Sequence, residues 1–182
     1  MDDFFPCAGV ALIVLGGELY HGSTGGAGEV GHIRLAEDGP TGYGKKGSFE
    51  GFCSGSGLAQ LGRMVIERRV ARGGASAWAL ENASNPALTA KAIADAAARR
   101  DSAALEIMEI CGAYLGRGLS VLIDILNPDA IVIGSIFERS GELLIPSMER
   151  TLREEALEGN LKACRIAPAR LGDSLGDYAA LS

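Results

Sequence analysis

The residues best equipped for chemistry lie in a glycine-rich stretch, GGAGEVGHIRLAEDGPTGYGKKGSFEGFC, at positions 25–53. It holds Glu29 and His32 three residues apart, Glu50 beyond a run of turn residues, and one late cysteine, Cys53. An ionised carboxylate accepts hydrogen bonds at two oxygens, and an imidazole donates and accepts, so the set suits a ligand rich in hydroxyls. Each residue also has a plainer reading. Glu29 fits a solvated turn, His32 a hydrogen-bonded structural histidine, and Glu50 a favourable charge at a helix N-terminus. The rhythm of a histidine, a loop and close turn residues is that of a metal knuckle, yet thiolates are scarce. Elsewhere, Ser54, Ser56 and His21 form no nucleophile–base–orienter set.

These side chains need elements to position them. GVALIVL at Gly9–Leu15, then Gly16–Gly17 and ELYH, reads as a hairpin with a two-residue turn of positive φ. From Gly22 to Gly57 glycine is too frequent for long regular elements. Leu58–Arg72 carries apolar residues at helical spacing and ends at Gly73–Gly74. Thr89 is placed to cap a short alanine-rich helix to Arg100, and Asp101 to cap the longest helix, stopped at Asn127–Pro128. AIVIG at Ala130–Gly134 is a short apolar run of the buried parallel-strand type. A helix follows between Ser140 and Leu157, ending at Gly159–Asn160, then a strand at Ala163–Ala167 and a last helix capped by Asp173. This helix–strand–helix–strand–helix order is that of an α/β layer fold with a right-handed crossover. Gly134–Ser135 closes the strand at the kind of crevice where α/β sheets take ligands, although a tight strand-to-helix turn explains the same residues. Gly112, Gly116 and Gly118 read as close-packing points on the long helix.

Composition narrows the class. The 182 residues suffice for one domain with its own core, and 47% hydrophobic with 22% charged residues is ordinary for a globular protein. The net charge of −6 and scattered basic residues argue against nucleic acid. Cys7, Cys53, Cys111 and Cys164 lie far apart, which fits a reduced protein. The acidic MDDFFP start is unlike a signal peptide, and the longest apolar run is too short for a bilayer, so the expectation is a cytoplasmic protein with no membrane partner.

Three segments in order, GELYHGSTGGAGEVGH, NPDAIVIGSIFERSGELLIPSMERTL and LGDSLGDYAAL, resemble the ROK family, the bacterial group of sugar kinases and sugar-responsive repressors. The likeness runs from about Val10 to the end. It implies an α/β fold: the C-terminal lobe of an actin-like (ribonuclease H-like) ATPase, one domain over 1–182, with a mixed sheet flanked by helices and a sugar-site loop over 22–57. It implies that Glu29, His32 and Glu50 contact a sugar, and that Gly9, Gly134 and Ser135 border ATP with Mg. The family pattern GExGH, then CxCGxxGCxE, lays three zinc cysteines on Thr41, Tyr43 and Ser48. Hydroxyls do not replace thiolates as soft ligands, so no zinc is expected, with Tyr43 and Phe49 forming an apolar plug instead. The phosphate turn GTGxG reads PCAGVAL here. The family's DxGxT loop and catalytic aspartate belong to a lobe that this sequence does not include, so no catalytic residue is assigned.

The resemblance therefore implies the sugar-binding, nucleotide-covering half of a kinase for a hexose or N-acetylhexosamine, inactive alone and self-associating, in the manner of a dimer. The alternatives are the sugar-sensing module of a regulator, or a degenerate fragment that binds nothing.

Overall fold

Gly16 and Gly17 both take left-handed backbone, with φ of +60° and +86°. They close a tight antiparallel hairpin between β1, Val14–Leu15, and β2, Glu18–Leu19. The computed structural model describes residues 11–134 and 136–169, with the side chains of Ile136 and Glu138 outside that description. Gly9, Ser135 and the segment from Asp173 onward lie outside the described residues.

A 3-10 turn at Val30–His32 leads to a second small hairpin, β3, Thr41–Gly42, paired with β4, Lys45–Lys46. Its turn is Tyr43–Gly44, again with positive φ at both positions, +50° and +70°. Short helix α1, Phe49–Cys53, follows at once. No long element interrupts the glycine-rich span, as its composition implies.

α2 spans Gly55–Ala71, begins with Ser54 accepting from the Gly57 N–H, and gives way to left-handed Gly73. α3, Ala77–Asn82, is capped by Ser76, whose hydroxyl accepts from the Ala79 N–H at 3.2 Å. α4, Ala90–Ala98, is capped by Thr89, and α5, Ser102–Leu126, by Asp101, whose carboxylate accepts from the N–H groups of Ala103 at 2.9 Å and Ala104 at 3.0 Å. Asn127 ends α5 in the left-handed conformation. Ile107, Cys111, Leu115, Leu119 and Ile123 of α5 are buried, and with Leu58, Val65, Ile66, Ile93 and Leu144 they form the core.

β5, Ala130–Ile133, runs parallel to β6, Arg165–Pro168, across α6, Ile136–Glu155, and α7, Glu158–Ala163. Three expectations are corrected here. The single mixed sheet is absent among the described residues, where the strands form separate two-stranded pairs. At the approach to β1 the Ala11 N–H donates to the Gly28 carbonyl, in the loop before the 3-10 turn. β5 is parallel as expected but only half-buried, with Val132 62% exposed. The long helix after it ends at Glu155, and Gly159–Asn160 lies inside α7, whose preceding Leu157 N–H is held by the Asp124 carboxylate at 3.0 Å.

α6 lies so close to α5 that glycine is required. A Cβ at Gly112 would stand 2.5 Å from the Leu144 carbonyl oxygen, and one at Gly116 would stand 2.5 Å from that of Met148. No helix among the described residues is long and apolar enough to cross a membrane.

Candidate functional site

The site grows from the segment between residues 28 and 50. Glu29 stands at the start of the 3-10 turn and His32 at its end, both exposed to solvent. Past His32 the chain is pinned to the start of α1: Arg34 bridges Ser48, the Phe49 N–H donates to the Ile33 carbonyl at 2.8 Å, and the Leu35 N–H donates to Gly47 at 2.8 Å. These bonds carry Glu50, in the first turn of α1, toward the 3-10 turn.

Glu50 is half-buried, and its Oε2 is shielded from water without a hydrogen-bond partner among the described residues. Burial pushes its carboxyl above the usual carboxylate value, His32 acts in the opposite sense, and the Glu29 charge adds to the rise. Glu50 therefore lies within the field of both His32 and Glu29. Among the described residues no hydrogen bond joins them directly, which leaves an open carboxylate beside an exposed imidazole and a second carboxylate.

His32 is held from two sides. Its ring rests on Tyr43, with centroids 4.6 Å apart and planes inclined by 30°, and its carbonyl accepts from Lys45 Nζ at 2.6 Å. Tyr43 is thus a ring platform, 42% exposed, and does not share a plug with Phe49. Phe49 turns instead into the space left by Gly118, where a Cβ would come within 2.5 Å of its ring. The physical reason is the left-handed turn at Tyr43, which aims its side chain away from the core.

Gly134 follows β5, and its carbonyl accepts from the Phe137 N–H at 3.3 Å. Among the described residues, a Cβ there would meet Ala169 at 3.8 Å. Its supposed neighbours Gly9 and Ser135 lie outside the described residues.

Two residues of the site were not foreseen in their roles. Ser48, fully buried, accepts from the N–H groups of Gly42 and Gly51, both at 3.1 Å, and donates to the Gly42 carbonyl at 3.3 Å. Gln60 on α2 binds Thr41 at both its N–H and its carbonyl, each at 3.0 Å. Ser48 was legible as an N-cap before FEGF. Nothing local marks Gln60, whose partner lies nineteen residues earlier.

The sequence model of the ROK family matches residues 8–181. This chain belongs to the ROK family. It is 32% identical over 166 residues to a glucokinase of Halalkalibacterium halodurans, an alignment covering 90% of this chain and 49% of that one. It is 28% identical over 149 residues to the DNA-binding transcriptional dual regulator NagC of Escherichia coli, covering 81% of this chain and 34% of the regulator. Among solved structures, a ROK glucokinase from Streptomyces griseus in complex with glucose and AMPPNP superposes with a TM-score of 0.73 at 26% identity, over 92% of this chain and 54% of the other. A ROK transcriptional regulator, a homologue of the Escherichia coli MLC protein, superposes with a TM-score of 0.69 at 28% identity, over 87% and 38%. The chain thus has the mixed α/β content and fold relationship of ROK sugar kinases, and spans about half the length of the glucokinases it matches. Since the relatives include a DNA-binding regulator, the expectation that excludes nucleic acid as a partner is not supported.

Proposed function

We propose that this chain is the sugar-holding, nucleotide-covering half of a ROK sugar kinase acting on a hexose or N-acetylhexosamine. The observation that carries the reading is the sheltered, unpartnered Oε2 of Glu50, within the field of Glu29 and His32. A buried acceptor without a donor is unfavourable unless a ligand supplies one, and a sugar hydroxyl does so. Glu50 and Glu29 accept from hydroxyls, and His32, oriented by Tyr43 and Lys45, donates or accepts beside them.

ATP with Mg would supply the phosphoryl group, and the resemblance to ROK kinases implies that Gly134 lies at the nucleotide. Gly9 and Ser135 complete that set by resemblance only. Phosphoryl transfer rests on positioning and charge stabilisation, and this chain's share is to hold the acceptor. A general base is expected from another lobe, so the 182 residues alone bind without turning over. The free thiols of Cys53, Cys111 and Cys164 suit a reducing cytoplasm.

The residues present do not fit the family's zinc. Both acceptor positions of the Ser48 hydroxyl are used by N–H donors, and the ring of Tyr43 is engaged with His32. No thiolate stands among Thr41, Tyr43 and Ser48.

A sugar-sensing role in a regulator is the second reading, favoured by the likeness to NagC and to the regulator structure. Calorimetric titration with glucose and N-acetylglucosamine tests the common element. Binding by the wild type that weakens at least tenfold in Glu50→Gln is expected, and no heat with either sugar or with other hexoses refutes the site. Phosphorylation of glucose by the isolated chain would refute its half-enzyme character.

A further inference from the structure

A hairpin with two residues per strand is not stable by itself, so side chains must fasten β3 and β4. Three positions, Thr41, Tyr43 and Ser48, carry that duty, each in a different way. Ser48 uses its whole hydrogen-bonding capacity, one donor and two acceptors, on Gly42 and Gly51. Tyr43 lays its ring on His32. Thr41 is gripped through its backbone by Gln60, whose Oε1 accepts from the Thr41 N–H while Nε2 donates to the Thr41 carbonyl. The half-buried amide of Gln60 thus pairs with a peptide group as a neighbouring strand would, and ties β3 to α2, which belongs to the main core. The packing around this clasp leaves no slack: a Cβ on Gly42 would stand 2.9 Å from Ser48 Oγ and 3.0 Å from Glu50 Cβ. A displacement of β3 is therefore a displacement of Glu50.

We propose that Gln60 is a positioning residue of the sugar site: its two-point clasp on Thr41, with the hydrogen bonds of Ser48, holds the loop without a metal and fixes Glu50 relative to His32. The functional half of this proposal rests on the sugar reading given above; the clasp itself does not.

The test uses two variants of the 182-residue chain. Gln60→Ala removes both bonds. Gln60→Glu keeps an acceptor, and its protonated carboxyl restores the donor, whereas its ionised form faces the Thr41 carbonyl with a charge. Protection of the Thr41 and Gly42 amides is measured by hydrogen exchange, corrected for intrinsic rates, from pH 4.5 to pH 7.5, alongside glucose and N-acetylglucosamine affinity. In Gln60→Ala, Thr41 protection is expected to drop about tenfold or more, consistent with losing two hydrogen bonds, while amides of α5 keep theirs. In Gln60→Glu, protection and sugar affinity relative to wild type at the same pH are expected to recover as pH falls, a profile a merely local packing role would not produce. A chelator is expected to leave Thr41 protection unchanged.

Unaltered Thr41 protection in Gln60→Ala overturns the clasp, as does its loss on chelation. Lost protection with unaltered sugar affinity overturns the positioning role. If Gln60→Ala does not fold, Gln60→Glu decides alone, and the absence of any pH-dependent recovery overturns the proposal. Failure of the wild type to bind either sugar sinks the sugar reading and the positioning role with it, while Thr41 protection still decides the clasp.

Discussion

The imidazole of His32 rests on the phenol ring of Tyr43, centroids 4.6 Å apart, and Tyr43 reaches that place from a left-handed backbone with φ of +50°. The contact favours the folded site, while the conformation costs about 1–2 kcal/mol for a residue other than glycine. The two effects are of similar size and opposite sign. Tyr43→Gly is therefore expected not to lower the melting temperature, yet to weaken glucose binding roughly 2- to 10-fold, the value of an aromatic pair. Thermal denaturation and calorimetric titration of the same sample check both halves.

Glu50 yields a pH signature. Its folded-state pKa is raised, chiefly by burial, so the folded protein holds the Glu50 proton to higher pH than the unfolded chain does. Between those values the folded state binds more protons, and stability falls as pH rises. The Glu50 contribution is fully present below the unfolded carboxyl pKa and lost above the folded one. Glu50→Gln abolishes that loss. Scanning calorimetry is expected to find the variant level with wild type near pH 4 and more stable at pH 7, though weaker for sugar.

The glycines of α5 separate packing from function. Alanine in a helix is ordinarily favoured over glycine by roughly 0.5–1 kcal/mol, but both Gly116 and Gly118 lack room for it. Gly116→Ala presses on the Met148 carbonyl of α6, and Gly118→Ala on the ring of Phe49, next to Glu50. Each is expected to lower stability by about 1–3 kcal/mol, the range for overpacked cores. Only Gly118→Ala is expected to reduce glucose affinity as well, measured where both variants are fully folded.

The first hairpin shows apolar groups on both faces, with Leu12 76%, Val14 61%, Leu15 55% and Tyr20 53% exposed. Such a surface is unfavourable in water and promotes association. Sedimentation velocity is expected to show the 182-residue chain self-associating with rising concentration, and Val14→Lys with Leu15→Lys to shift it toward monomer. A wild type that stays monomeric at high concentration contradicts the expectation.

Local signals were the legible ones. Thr89, Asp101, Gly73 and Asn127 each announce a helix end through their own side chain or φ preference, and each performs as read. The motif singled out Glu29, His32 and Glu50, and the first two do act on the Glu50 carboxyl. Long-range fastenings were not. Gln60 reads as one more polar residue of an amphipathic helix, because its role depends on how α2 meets β3 in space. The restart of the chain at α7 likewise goes with a tertiary contact, the Asp124 carboxylate holding the Leu157 N–H, that no neighbouring residues encode. Phe49 was assigned to the wrong partner because the vacancy it fills is made by Gly118, on a helix far along the chain.

Ser48 carries an implication for the conditions under which the β3–β4 hairpin keeps its shape. A thiol in that place would be open to peroxide and to capture by heavy metals, whereas an alcohol is inert to both. Oxidants therefore have no chemical handle on this one fastening between β3 and the first turn of α1.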